Sequence, residues 1–422
     1  MSADSGPAVR RLADWDHERL ERLAAEHGTP LYVFDPARVR ENCRRLRGAF
    51  PEADIQYAAK AHTARRTLET VHEEGFDVEC ASAGEVLRAL DAGVPGTAVT
   101  YTAVNPPARD LDTVVDAWRE HPELSINAGA ADTLDRLEDR GFDGRLRLRV
   151  NPGVGAGHHE KVVTGGHPKF GVGLDRVPDL AESAAERFDF RGIHAHAGSG
   201  ITGDQLDDHR ELVRRMGDLA RTLEDRGLSV ETVDVGGGFG VPYREEAPPL
   251  DLDAVADATR EALGETEATL AIEPGRYVVA DAGVLLTTVN TVKEVPETVV
   301  AGIDAGMTTL LRPALYDAYH AVTNLTASTA RDSVGVTLAG PVCETADLLC
   351  ENRPLPRPER RDLLAVGNAG AYGYEMASTY NTRPLPAEVT LEGEVLRKRG
   401  SVADVTSNEP NGFGATEPSE GQ

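Results

Sequence analysis

From Ile55 onward the sequence alternates, at regular spacing, between short apolar runs and stretches with helical periodicity. The spacing predicts strands at Ile55–Ala58, Asp77–Cys80, Ala98–Tyr101, Leu124–Asn127, Leu146–Val150, Gly192–His196, Thr232–Val235 and Thr269–Glu273, each followed by a helix. Eight such units are the count of a (β/α)8 barrel. One intervening helix is marked by the stripe Leu212, Val213, Met216, Leu219, Ala220 and Leu223, stopped by Gly227. Upstream, Asp16 is placed to cap a helix running to His27, with Gly28 as its stop, and Leu31–Phe34 reads as a strand. After Ala280 the pattern turns to β-type alternation at Gly283–Val292, Thr298–Ile303, Val334–Leu338, Asp362–Val366 and Val389–Leu391, separated by turns rich in Pro and Gly. The expected fold is therefore α/β: a (β/α)8 TIM-type barrel followed by a C-terminal β-rich domain. Residues 1–30 would pack with that second domain, 31–278 would form the barrel, 279–405 the β-rich domain, and 406–422 a disordered tail. The first ten or so residues, small and polar, are also expected to lack order. A doubly wound sheet is the alternative architecture.

Polar residues fall at or just after the C-terminal ends of these strands: Lys60, Ser82, Asn127, Asn151, His196, Gly236–Gly238 and Glu273. In a barrel that end carries the active site. The chain has five lysines against 39 arginines, which makes a lysine at a strand end informative. Its amine can form a Schiff base, which a guanidinium cannot, although an ion-paired strand-end lysine is the plain alternative. Three successive glycines in Asp234-Val235-Gly236-Gly237-Gly238-Phe239-Gly240 let backbone N–H groups converge on an anion, or simply make a tight turn. The run is not a dinucleotide fingerprint, since Val241 stands where the third glycine belongs. A carboxylate at Glu273 needs a cation if buried; a protonated pyridine nitrogen would serve, and so would Arg276. His196 has small neighbours that leave room for a flat ligand, or it is an ordinary core histidine. A metal ion is not expected at His194 and His196, because no third ligand is evident.

Composition narrows the class. Net charge is −26 with a pI near 4.9, which argues against nucleic acid. The acidic excess, spread along the chain, resembles the solvated surface of a halophile's protein. No apolar run approaches the roughly 18 residues of a membrane helix, and the N-terminus lacks signal-peptide order, so a cytoplasmic protein without membrane partners is expected. Cys43, Cys80, Cys343 and Cys350 show no zinc-ligand spacing and are expected to be free thiols.

Taken together and in this order, Lys60, His196, Gly236–Gly238 and Glu273-Pro274-Gly275-Arg276 resemble the fold-type III decarboxylases that use pyridoxal 5'-phosphate (PLP). Asp304-Ala305-Gly306-Met307, Arg312-Pro313-Ala314-Leu315-Tyr316, Gly340-Pro341-Val342-Cys343-Glu344-Thr345-Ala346-Asp347, and Gly370-Ala371-Tyr372 with Tyr380-Asn381-Thr382-Arg383-Pro384 narrow the resemblance to the diaminopimelate decarboxylase family. Arg149–Gly153 and Lys169-Phe170-Gly171 match as well, and the likeness spans roughly residues 29 to 400.

The resemblance implies that Lys60 holds PLP covalently, His196 stacks on its ring and Glu273 pairs with its pyridine nitrogen. Gly237, Gly238, Gly275, Arg276 and Tyr372, with Ser199, would hold the phosphate. Arg276, Arg312, Tyr316, Glu344 and Tyr372 would contact substrate, and Cys343 would donate a proton. Cys343 and Glu344 would come from the neighbouring subunit of a homodimer. The implied reaction is decarboxylation of meso-diaminopimelate to L-lysine, the last step of that route to lysine. Two alternatives stand: a decarboxylase of ornithine or arginine, which would not need Arg312 and Glu344 as clamps, and a non-catalytic PLP-carrier barrel. The sequence departs from the family pattern at His62, where Asn is usual, and at Gly200, where Gln is common.

Overall fold

A computed structural model describes residues 7–157, 166–196, 198–199, 201, 206–327 and 331–410. Gly200, much of the segment 154–167, the expected tail beyond 410 and the first six residues lie outside this set. The chain forms two compact units.

In the first unit, eight parallel strands close on themselves: Asp54–Ala58, Asp77–Cys80, Val99–Ala103, Ser125–Ala128, Arg145–Asn151, Asp189–His194, Thr232–Asp234 and Thr269–Ile272. The last pairs with the first through Ala271–Asp54 and Ile272–Ile55. Closure excludes the doubly wound alternative. Most of the strands are short runs with apolar residues on both faces, since both faces are covered; Arg145–Asn151 instead alternates arginines with apolar residues. Their helices carry the expected signals. Ser82 caps Ala83–Asp91 by accepting from the Glu85 N–H, so this strand-end residue serves the helix. Leu206–Asp225 buries the predicted stripe and is followed by Gly227 at φ 84°.

Toward the middle of the barrel the interior is polar. Gln56, Thr100, Arg147 and Asp234 come from the first, third, fifth and seventh strands. Arg147 donates to Thr100 Oγ1 at 2.9 Å and to Gln56 Oε1 at 3.3 Å, and Gln56 Nε2 donates to Asp234 Oδ2. One layer drawn from alternate strands is how such a barrel fills its core; here the layer is held by hydrogen bonds.

The second unit is a nine-stranded sheet built on the long strand Gly283–Val295. Leu31–Phe34, placed with the barrel by the sequence reading, belongs to this sheet instead: it pairs antiparallel with Gly283–Leu286 and parallel with Ala387–Thr390. The reason is its four-residue apolar run, which reads alike for any fully covered strand. The helix His17–His27, capped by Asp16 and ended by Gly28 at φ 70°, lies in the same unit and buries Leu20 and Leu23. Val322–Asn324, Leu348–Pro356 and Val395–Arg397 are strands that the sequence reading did not assign; charged or Pro residues interrupt two of them.

Candidate active site

Lys60 lies in a single 3-10 turn, Ala59–Ala61, directly after the first barrel strand. Its Nζ donates to Glu79 Oε2 at 2.8 Å. Glu79 is almost sealed from solvent, and burial alone would raise its carboxyl; the Lys60 charge and hydrogen bonds from Lys60 and Thr102 overcome that and hold it below the usual range. Thr102 in turn accepts from Asn127 Nδ2 at 3.1 Å. The lysine is thus anchored by a chain of contacts reaching across the second, third and fourth strands. His62, the first departure, is buried, with Nδ1 2.7 Å from Thr67 Oγ1.

At the ends of the sixth, seventh and eighth strands stand His194, Asp234 and Glu273. All three are buried, and one ligand-capable atom of each lies within 4.8 Å of the others. The acidic neighbours that the sequence did not reveal for His194 are therefore present in the structure. Burial pushes the Glu273 carboxyl up to about 7, with the Glu79 charge adding and Lys60 and the arginines opposing. Asp234 is pushed up to about 7 by burial and by Glu273. Burial pushes His194 down to about 3, and His196 well below its ordinary value. Arg149, 6% exposed, lies with its guanidinium 5.0 Å from the Phe170 ring, and burial lowers its proton affinity.

The glycine turn is required by close approach. A Cβ on Gly237 would stand 2.0 Å from the Glu273 carbonyl oxygen, and one on Gly236 2.5 Å from that of Ala195. Gly236 and Gly238 also hold φ values of 73° and 103°. The Gly237 N–H donates to His196 Nδ1 at 3.1 Å, which ties the turn to the imidazole. Arg276 Nη2 donates to Ser199 Oγ at 3.0 Å. Gly275 abuts the lysine turn, since its Cβ would meet those of Ala58 and Ala61 at 3.1 and 3.2 Å. The barrel thus gathers Lys60, His196, Ser199, Gly237, Gly238, Glu273, Gly275 and Arg276 at one end of its strands.

The remaining expected site residues belong to the second unit. Arg312 opens a short helix, Arg312–Tyr316, and is fully buried. Its Nη1 lies 2.7 Å from His320 Nε2, and its guanidinium stacks 4.6 Å from the Tyr243 ring centre. Tyr316 ends that helix and is partly buried, as is Tyr372 at φ 56°. Cys343 and Glu344 are exposed, and Tyr380 donates to Glu344 Oε1 at 2.5 Å. Buried Asp347 fastens this loop, accepting from the Val342 N–H at 2.7 Å and the Met307 N–H at 2.5 Å. Gly306 and Gly340 are needed there, since a Cβ on either would stand 2.4 or 2.3 Å from the Asp347 carboxylate.

Against known proteins, residues 36–280 match the family described as pyridoxal-dependent decarboxylase, pyridoxal binding domain. The diaminopimelate decarboxylase of Methanothermobacter thermautotrophicus is 40% identical over 401 residues, covering 91% of this chain and 92% of that one. The chain belongs to the diaminopimelate decarboxylase family. The Escherichia coli K12 enzyme of that name is 33% identical over 94% of this chain and 97% of its own. The crystal structure of the Helicobacter pylori family member complexed with L-lysine superposes with a TM-score of 0.86 at 30% identity, covering 92% of this chain and 99% of that one.

As a diaminopimelate decarboxylase family member the protein uses PLP, and the residues present suit that group. Lys60 offers an amine, the glycine turn leaves a cradle that any Cβ would fill, and Glu273 presents a buried carboxylate with Oε1 unmatched by any donor among the described residues. Sequence reasoning missed Glu79, Arg147, Tyr243 and His320, and gave Arg149 no role beyond its place in the matching Arg149–Gly153 stretch. Period-two spacing carried a signal for the two arginines: Arg145, Arg147 and Arg149 alternate with Leu146, Leu148 and Val150.

Proposed function

We propose that the protein decarboxylates meso-diaminopimelate to L-lysine and CO2. The observation that carries this reading is Lys60, the lysine at the mouth of the barrel, paired with buried Glu79 in a chain 33–40% identical to named diaminopimelate decarboxylases. PLP, when bound, supplies an electron sink for the carbanion left by departing CO2. Lys60 would hold it covalently through its amine, at the barrel mouth where Glu79 anchors the side chain. Glu273 would be held anionic to keep a ring nitrogen charged, and His196 would cover a ring face. Gly237, Gly238, Gly275, Arg276, Ser199 and Tyr372 hold the phosphate. Arg312, Tyr316 and Arg276 would bind substrate carboxylate, Glu344 would read the distal amino group, and the Cys343 thiol would be the proton donor. Resemblance of the motifs supports these roles, as does the clustering of the barrel members.

The active unit in this reading is a homodimer whose sites are shared, with Cys343 and Glu344 reaching the neighbour's barrel. Their exposure on a fastened loop supports that arrangement. A cytoplasmic location and adaptation to high salt belong to the same reading, and the acidic composition supports the second. Among the described residues no helix is long and apolar enough to cross a membrane.

The test is direct: purified protein is incubated separately with meso-diaminopimelate, ornithine and arginine, and CO2 and product amines are measured. Lysine and CO2 from diaminopimelate alone are expected. Turnover of ornithine or arginine instead would favour the first alternative, and binding of PLP with no turnover at all would favour the carrier.

A further inference from the structure

Three buried side-chain atoms beside Asp234 lack hydrogen-bond partners among the described residues: both ring nitrogens of His194 and Oε1 of Glu273. They are nonetheless neighbours, with Nε2 of His194 3.2 Å from Oε1 of Glu273, misaligned for a hydrogen bond. Each side chain is nearly sealed, at 1% and 3% exposure. A buried polar atom left unpaired is disfavoured by about 1–3 kcal/mol, so one misaligned pair concentrates a sizeable penalty in one place. Asp234, by contrast, is satisfied: it accepts from the Gly236 N–H and from Gln56, and stands 3.5 Å from Arg147. Within this trio the unmet demand belongs to His194 and Glu273.

We propose that His194 is a positioning residue for Glu273: its Nε2–H takes one carboxylate oxygen, so that the other faces the pyridine nitrogen of PLP. This inference rests on the cofactor-pairing role given to Glu273 above. At 3.2 Å the two atoms already stand within hydrogen-bond distance, so the pairing requires alignment and not closer approach. The imidazole is well suited because it stays uncharged here. Burial, together with Arg149 and Arg147, opposes a proton on it more than Asp234 and Glu79 favour one. An uncharged donor steadies a carboxylate without neutralising it, whereas a cationic one would compete with the ring nitrogen for its charge. Glu273 needs such help, because burial and the Glu79 charge both push it toward the protonated form, against Lys60, Arg149 and Arg147. The competing use of the cluster, three ligands for a divalent cation, is opposed by the Arg147 guanidinium already facing Asp234.

The test compares two ligands of the full-length apoprotein, PLP and its 1-deaza analogue, in which carbon replaces the ring nitrogen. The wild type is expected to bind PLP at least tenfold more tightly than the analogue. His194→Phe should collapse that ratio toward one by weakening PLP, with the analogue's affinity unchanged. His194→Gln, whose amide can donate from nearly the same point, should keep most of the ratio. A merely structural role would weaken both ligands alike and leave the ratio intact, which overturns the proposal. Equal binding of both ligands by the wild type overturns the pairing role of Glu273 itself, and the proposal with it. If His194→Phe does not fold, His194→Gln and His194→Leu, judged by circular dichroism, carry the same comparison; an undiminished ratio in folded His194→Leu likewise overturns the proposal. Stoichiometric metal in the purified wild type, lost from His194→Gln, would assign the cluster to a cation instead.

Discussion

Lys60 Nζ and Glu79 Oε2 stand 2.8 Å apart, and the two side chains differ sharply in exposure, 36% for the lysine against 1% for the glutamate. The lysine can be rehydrated if its partner leaves; the glutamate cannot. Lys60→Ala should therefore abolish both cofactor absorbance and turnover, and should also strand a buried carboxylate. Losing one partner of a buried pair is worth about 3–5 kcal/mol at the extreme. The stranded Glu79 would have its proton affinity raised in the fold, so the deficit should be small near pH 4.5 and grow as pH rises. Melting temperatures of Lys60→Ala and of Lys60→Ala with Glu79→Gln, at both ends of that range, check this. The double variant should recover stability at high pH; a stability deficit equal at all pH values would refute the charge argument.

His209 gives a cleaner pH signature outside the site. Its Nε2 lies 2.7 Å from Thr259 Oγ1, whose own proton goes to the Val255 carbonyl, so the ring is the donor. Burial, with Arg210 adding, pushes its pKa down to about 4 from an ordinary 6.5. The unfolded chain therefore takes up a proton on this ring below pH 6.5 while the folded chain does not, and stability falls as pH drops from 6.5 to 4. The loss amounts to about 3 kcal/mol at 1.36 kcal/mol per pH unit. His194 acts in the same direction, whereas Asp234 and Glu273, pushed up to about 7, act in the opposite one. Urea unfolding of wild type and His209→Gln isolates the term: the gap between their stabilities should shift by roughly that amount in favour of the variant between pH 7 and pH 4.

Arg312 is held from both sides within its own unit. His320 donates from Nδ1 to the Gly367 carbonyl at 2.8 Å, which leaves Nε2 to accept from Arg312 Nη1. Removing a hydrogen bond to a charged group is worth about 1.5–3 kcal/mol. His320→Leu should accordingly raise KM for diaminopimelate by roughly ten- to a hundredfold, with cofactor absorbance unchanged. Loss of absorbance along with KM would instead mean that the ring supports the fold at large.

Much of this was legible in the sequence, and the gaps have physical causes. The eight barrel strands could be located because parallel strands covered on both faces are short and rich in apolar residues, and each is set between helical stretches. Lys60 and Glu273 could be singled out because a strand end is where a barrel exposes side chains. Glu79 escaped because it precedes its strand's last residue, and only the pairing of the first two strands, which sets Ala58 opposite Glu79, brings that position to Lys60. Leu31–Phe34 was placed in the wrong unit because its pairing with Gly283–Leu286 is set by residues some 250 positions away. His320 and Tyr243 escaped for a similar reason, since nothing local announces that one arginine will lie between them.

The acidic surface makes a solution prediction. Seventy acidic residues face 44 basic ones, and their repulsion is screened over about 3 Å at 1 M salt against about 10 Å at 0.1 M. Melting temperature and activity should rise together as salt is raised from 0.1 M. A melting temperature indifferent to dialysis would show that the many surface ion pairs, such as Arg191 with Asp189 and Glu231, already neutralise the excess locally.

The last prediction concerns the sharing of sites between chains. Cys343 and Glu344 are exposed at the end of a loop that Asp347 fastens to the Gly306–Met307 turn of the second unit, whereas Lys60 belongs to the barrel. If each site of a homodimer takes its lysine from one chain and its cysteine from the other, Lys60→Ala and Cys343→Ala chains should complement one another. Each variant alone has no complete site. Random exchange of equal amounts makes half of the dimers mixed, and each mixed dimer has one complete site of two, so activity should recover to about a quarter of wild type. Subunit exchange must be established independently, by native mass spectrometry of chains carrying different tags. Mixtures that remain as inactive as their parents despite proven exchange would place Cys343 in its own chain's site or outside catalysis.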